Sequence, residues 1–141
     1  MNFWEPCWAC RLISGEKVGV VVEEKKDVIV AINPFSLSAG HSLVLPREHL
    51  RNIYELENEE LAGAILSTAA RIARAAKPTF GADGITLRQN NEAASDQHLF
   101  HFHLHVIPRF DGDAEKFNAS PEMSTLEEQE EAATKLRTNL S

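Results

Sequence analysis

Four of the six histidines of this 141-residue chain fall in one run, HLFHFHLHVIPR, residues 98–109. His101, His103 and His105 alternate with Phe102, Leu104 and Val106. Residues two apart share one face of a strand but diverge on a helix, so this spacing predicts a strand over 100–108. The three imidazoles then form a row on one face, and Phe100, Phe102, Leu104 and Val106 turn into a core. His98 has the opposite parity and belongs to the loop before the strand. A neutral imidazole, with an ordinary pKa of about 6.5, is a competent nucleophile at neutral pH. One histidine of the row can attack phosphorus while its neighbours orient it, stabilise phosphate charge and protonate a leaving group. Two other readings stay open for the row. H-x-H on a strand can chelate a metal, although no HExxH or DxD partner flanks it, and a solvated strand edge needs no chemistry at all.

The two cysteines form a second constellation, CWAC, with Cys7 and Cys10 three apart. In a reducing compartment this spacing favours metal or redox chemistry over a structural disulfide. No long helix opens after the motif, which argues against a redox centre. With no further thiol in the chain, other ligands to a metal must be histidines or carboxylates.

These groups need elements to hold them. VGVVVE (18–23) and DVIVAI (27–32) are rich in β-branched residues and flank a Lys25-Lys26 turn, which predicts an antiparallel hairpin. NPFSLSAG (33–40) is a loop by composition, and HSLVLP (41–46) is a strand ended by its proline. Leu61, Ile65, Ala69, Ile72 and Ala76 recur at helical spacing, so the main helix covers 58–76, with Asn58 as N-cap and Pro78 and Gly81 as stops. GITLRQ (84–89) is a further strand, and NNEAASDQ (90–97) is a polar loop. From Ser120 the tail is acidic and helix-prone, with Pro121 suited to a first turn. No repeat or linker divides residues 1–141, which read as one domain with a core over about 7–110 and a helical tail over 120–141.

Bulk composition narrows the function classes. The chain is 43% hydrophobic and 25% charged, with a net charge of −7. That balance argues against nucleic acid gripped by charge alone, yet leaves room for a small anion held by local donors. No apolar run approaches the roughly 20 residues of a membrane span, and MNFWEPCWACRLISGEK lacks the basic-then-apolar layout of a signal peptide. A cytoplasmic location is expected.

HFHLHVI (101–107) resembles the signature of the histidine triad superfamily of nucleotidyl hydrolases and transferases, in which three histidines alternate with apolar residues. AGHSLVLPREHL (39–50) resembles that family's strand before the long helix. INP and RQNN stand where its nucleotide-contacting segments do, so the resemblance runs from Cys7 to Arg109. It implies an α+β fold: a five-stranded antiparallel sheet, one long helix and a two-fold homodimer. It also implies that His103 attacks the α-phosphorus and forms a covalent nucleotidyl-histidine that water resolves. His101 and His105 flank it, and His41 supports the row. Asn33 is implied at the ribose, and Asn90 and Gln97 near the phosphates. Zinc-containing members imply a structural Zn2+ held by Cys7, Cys10, His49 and His101.

The chain departs from the family pattern at Asp96-Gln97-His98, where members often carry Gly-Gln-Ser or Gly-Gln-Thr. An imidazole, His98, replaces a phosphate-bonding hydroxyl, and Asp96 brings a negative charge beside an anion site. Dinucleoside polyphosphates are the leading substrate class by resemblance. A nucleoside phosphoramidate hydrolase, and a zinc-stabilised nucleotide-binding module without turnover, are the alternatives. Trp4 and Trp8 read as packing or dimer residues rather than base-stacking platforms. Phe35 covers an adenine face or anchors its loop, and Arg109 neutralises phosphate or ends a strand in solvent.

Overall fold

Two of the strands are buried along their whole length: β2 (Val28–Ile32) and β3 (Ser42–Pro46). A strand covered on both faces needs apolar residues at every position, and VIVAI meets that requirement. Alternation then splits the side chains between two cores. Val28, Val30, Ile32 and Val44 pack on one side with Ile65, Ile72 and Leu136, whereas Ile29, Ala31, Leu43 and Leu45 pack on the other with Trp8 and Leu99. Each large aliphatic side chain so buried contributes about 1.5–3 kcal/mol. The computed structural model describes residues 2–118 and 120–140. Met1, Ala119 and Ser141, the last residue of the expected tail, lie outside the described residues.

The sheet is antiparallel and five-stranded, as expected. Strand β1 (Val21–Glu24) pairs with β2, β2 with β3, and β5 (Leu104–Arg109) inserts between β3 and β4 (Gly84–Arg88). The long helix α2 (Glu59–Phe80) lies against β3 and β5. No described helix is long and apolar enough to cross a membrane. The tail helix α4 (Leu126–Thr138) packs on β1 and β2, where it buries Ala133 and Leu136. On the opposite face sits a short helix, α1 (Trp8–Ile13), which six residues are too few to announce by periodicity. Another short helix, α3 (Ala114–Asn118), follows β5.

Several boundaries differ from the sequence expectation. The first strand starts later than Val18 because the Val18 carbonyl accepts the Trp8 indole N–H at 2.9 Å. Helix α2 begins at its expected cap, with Asn58 Oδ1 accepting the Leu61 N–H, but runs past Ala76 through Pro78. Proline near a helix end removes one backbone bond, and Gly81 in the left-handed region (φ 65°) closes the turn. The tail helix starts on the Thr125–Glu128 capping box rather than at Pro121. The largest correction concerns the histidine strand, which begins at Leu104, not Phe100. Proline has no N–H to extend a ladder, so β3 pairs with β5 only over Ser42–Val44, and His101 and His103 precede the strand. Phe100 faces no core either; the Arg51 guanidinium covers its ring at 4.5 Å.

Gly40 ties the end of α2 to the start of β3. Its φ of +83° is left-handed, and a Cβ there would fall within the Phe80 ring. Gly40→Ala is expected to destabilise the protein by about 2–4 kcal/mol in urea unfolding, from backbone strain and overpacking together. An unchanged midpoint would contradict this packing.

Candidate functional site

Antiparallel register places one side chain from each of three strands in a row. Leu43 on β3 lies opposite His105, and His105 lies opposite Arg88 on β4. Directly paired residues point to the same face. That face is the one α1 leaves partly open, and a cavity of about 480 Å³ stands over it. His41, His103 and His105 line the cavity, together with Arg88, Asn33 and the Phe35 ring.

Hydrogen bonds set the tautomer of each imidazole. The His103 Nδ1 lies 2.7 Å from the His101 carbonyl oxygen. A carbonyl only accepts, so Nδ1 carries the proton and Nε2 keeps its lone pair. The Leu37 backbone N–H donates to His41 Nδ1 at 3.0 Å, which leaves the His41 proton on Nε2. That proton meets His105 Nδ1 at 2.9 Å, and the His105 proton is thereby placed on its Nε2. The row therefore offers a lone pair from His103 beside an N–H from His105. Burial holds all three neutral. It pushes His41 down to about 3, with Arg88 and His103 adding to the effect. Burial also lowers His103 and His105, helped by neighbouring imidazoles and the Arg88 charge.

The other site residues named from sequence divide into two groups. Asn33 lines the cavity, and its Oδ1 accepts the Phe35 N–H at 2.9 Å. Its Nδ2 approaches His41 Nε2 at 3.2 Å, but with the proton on Nε2 both are donors and the pair is a contact, not a hydrogen bond. Asn90 and His98 reach the same cavity from its rim, with Asp96, which sits at φ 61°. Gln97 does not line the cavity. It is buried and its amide donates to the carbonyls of Arg51 and Leu99, while its oxygen accepts the Glu92 N–H. Gln97 thus braces the loop that carries Asn90 and His98. His101 is also absent from the lining and reaches the row only through its carbonyl. Trp8 is a packing residue, and Arg109 is held by both Asp113 oxygens and by Thr86. Sequence reasoning missed Arg88, because only the β4–β5 register shows which face its side chain shares. It also missed Phe117, Asn118, Ser120 and Pro121, which come from beyond β5 to wall the cavity.

A second cluster lies behind His101. Cys7, Cys10, His49 and His101 each offer one ligand atom, all within 4.8 Å of one another. Sulfur-to-nitrogen distances run from 3.3 Å (Cys10 to His49) to 3.7 Å (Cys10 to His101), and the two Nδ1 atoms are 3.1 Å apart. Tetrahedral zinc with ordinary bond lengths requires about 3.5 Å and about 3.3 Å for these edges, so the donors fit. His101 Nε2 donates to the Pro46 carbonyl at 2.8 Å, which leaves Nδ1 unprotonated and facing the thiols. Burial holds the imidazole at about 4, despite that carbonyl. The Cys10 N–H donates to Cys7 Sγ at 3.4 Å. Burial and the adjacent Cys7 raise the Cys10 thiol to about 11 without a metal; a bound cation reverses that preference.

Comparison with known proteins agrees with this arrangement. The model of the HIT domain matches residues 14–112. The protein Hit of Bacillus subtilis is 34% identical over 119 residues, covering 84% of this chain and 81% of its own. An adenylylsulfatase of Arabidopsis thaliana, HINT3, is 34% identical over 107 residues, which are 76% of this chain and 54% of that protein. A Hit-like protein of Bartonella henselae superposes with a TM-score of 0.81 at 37% identity, covering 92% of this chain and 93% of its own. A zinc-bound histidine triad family protein of Mycobacterium smegmatis superposes with a TM-score of 0.78 at 27% identity over 94% of each chain.

The buried neutral pair His41–His105 has a consequence for stability. Both groups titrate near about 6.5 when unfolded and well below that when folded. Below this pH the unfolded chain takes up protons that the folded chain refuses, so stability present above it is lost as pH falls. Unfolding free energy is expected to drop by about 1.4 kcal/mol per pH unit for each histidine between about pH 6 and pH 4.5. His41→Gln should make the slope shallower by about one proton; an identical slope in that variant would refute the buried pair.

Proposed function

Because the chain belongs to the HIT domain family, we propose that it is a nucleotidyl hydrolase or transferase that cleaves dinucleoside polyphosphates at the α-phosphate. The observation that carries this reading is the His103 ring, whose Nδ1–H is anchored on the His101 carbonyl with Nε2 free. In the first step the Nε2 lone pair bonds the α-phosphorus, and the bond to the bridging oxygen breaks in line with it. The electron pair leaves with that oxygen. The His101 carbonyl stabilises the charge the ring acquires, and the His105 Nε2–H supplies a hydrogen bond in the cavity. In the second step water bonds the phosphorus, the P–Nε2 bond breaks, and a nucleoside monophosphate and a proton are released. Asn33 is assigned to the ribose, and Asn90 and His98 to the phosphates. The likeness to an adenylylsulfatase favours one further substrate of the same kind, adenylyl sulfate.

Cys7, Cys10, His49 and His101 are assigned to a structural zinc ion. It supplies folding energy and fixes the segment whose carbonyl orients His103. No step of the reaction passes through it. Residues 1–141 act as one domain, in a cytoplasm reducing enough to keep both thiols available. A homodimer is proposed through the edge strand β4 and helix α2, which expose Leu87 at 45% and Leu66 at 57%.

Two measurements test these assignments. His103→Ala should still bind AMP while turnover of diadenosine tetraphosphate falls by at least about 1,000-fold. Turnover that survives the substitution would refute covalent catalysis by His103. Protein purified without chelator should carry one zinc per chain, and Cys10→Ser should lose most of it along with several degrees of melting temperature. Native protein free of zinc would remove the metal assignment.

A further inference from the structure

Among the described residues, Arg88 is the only arginine or lysine that lines the cavity. Among the described residues its side chain has no ion-pair or hydrogen-bond partner, and its Nε is buried without one. The Phe117 ring lies 5.3 Å from its guanidinium carbon. Arg109 stacks on the same ring at 3.8 Å but is neutralised by Asp113. Asp96 also lines the cavity, yet forms no ion pair with Arg88. A guanidinium left partly desolvated and unpaired is costly, and it further disfavours charge on the three imidazoles beside it. An anion in the cavity is the group that would relieve both costs.

The register says where that anion sits. The row Leu43–His105–Arg88 runs across β3, β5 and β4, with strands about 4.8 Å apart. The Leu43 end is apolar and aromatic, bordered by Trp4, Phe35 and Leu37. The Arg88 end carries the cation, with the Phe117 ring 5.3 Å from the guanidinium carbon and Asn90 two residues further along the chain. A nucleoside suits the first end, and the attacked phosphorus must lie at the imidazoles between. What remains for the Arg88 end is the group that departs.

We propose that Arg88 binds the leaving group and makes the enzyme selective for substrates whose leaving group departs as an oxyanion, such as phosphate, polyphosphate or sulfate, over those that release an amine. This rests on the catalytic reading above. When the P–O bond breaks, the electron pair stays on an oxygen whose growing charge the guanidinium can bind through paired N–H groups. An amine must instead gain a proton as the P–N bond breaks, and a fixed cation opposes that. Arg88 thus contributes more in the transition state of the first reaction than of the second.

The test compares diadenosine tetraphosphate with adenosine 5′-phosphoramidate as substrates for the native protein, Arg88→Met and Arg88→Lys. The ratio of the two kcat/KM values, tetraphosphate over phosphoramidate, is expected to fall by about 10–100-fold in Arg88→Met, the worth of one charge-assisted hydrogen bond, and to recover in part in Arg88→Lys. A ratio within about threefold of native would overturn the proposal. If the native protein cleaves neither substrate, the catalytic reading fails by itself, and equilibrium binding then decides the role of Arg88. ADP should lose about 10-fold or more in affinity for Arg88→Met relative to AMP; equal effects on the two nucleotides, or none, would overturn it.

Discussion

His101 is the constraint on which both sites depend. Its imidazole is wholly buried, so each polar atom of the residue must find a partner inside the protein. Nε2–H takes the Pro46 carbonyl at the end of β3. Nδ1 then faces Cys7, Cys10 and His49, and the backbone oxygen receives His103 Nδ1–H. One residue thereby couples a sheet terminus, a four-donor cluster and the orientation of the His103 ring. Displacing the ring by a fraction of an ångström would disturb all three at once.

The sheet converts this junction into a site by being buried on both faces. Its α2 side takes Val44 and Val106, with Phe102 just before the strand, and gives the structure its main core. Its α1 side takes Leu43, Leu45 and Trp8, but leaves the ends of β3, β5 and β4 uncovered. Polar side chains placed there are screened by protein yet open to a ligand. Desolvation keeps His41, His103 and His105 neutral, and the bonds from Leu37 and to His101 decide which nitrogen of each holds the proton. A ring nitrogen with a free lone pair and an adjacent N–H donor result, oriented by backbone groups.

Much of this was legible in the chain. Alternation in HFHLHVI put His103 and His105 on one face, and the β-branched hairpin residues, the Asn58 cap and the Gly81 stop each had a local cause that survived folding. The resemblance of CWAC, His49 and His101 to a zinc site named four residues that the fold does bring together, across separations no periodicity could bridge. The failures are equally specific. Alternation alone extends the strand to Phe100, whereas Pro46 ends the ladder and leaves His101 outside it. The amide of Gln97, a residue expected near the phosphates, is directed to the carbonyls of Arg51 and Leu99. Helix α1 is too short for a period, and Pro78, a stop by residue type, costs the last turn of α2 only one backbone bond.

What the sequence determined by itself are the properties that act over a few residues: which side chains alternate, where a helix is capped, and which residues carry imidazole or thiol. Tertiary structure alone decided which atom of each histidine faces which partner, because tautomers follow from carbonyls and N–H groups supplied by distant segments. It alone decided that Arg88 stands in line with His105 and Leu43, since parity within one strand says nothing of the register between two. The cavity wall at Phe117, Asn118 and Ser120 has the same origin, as chain beyond β5 turns back over the imidazoles.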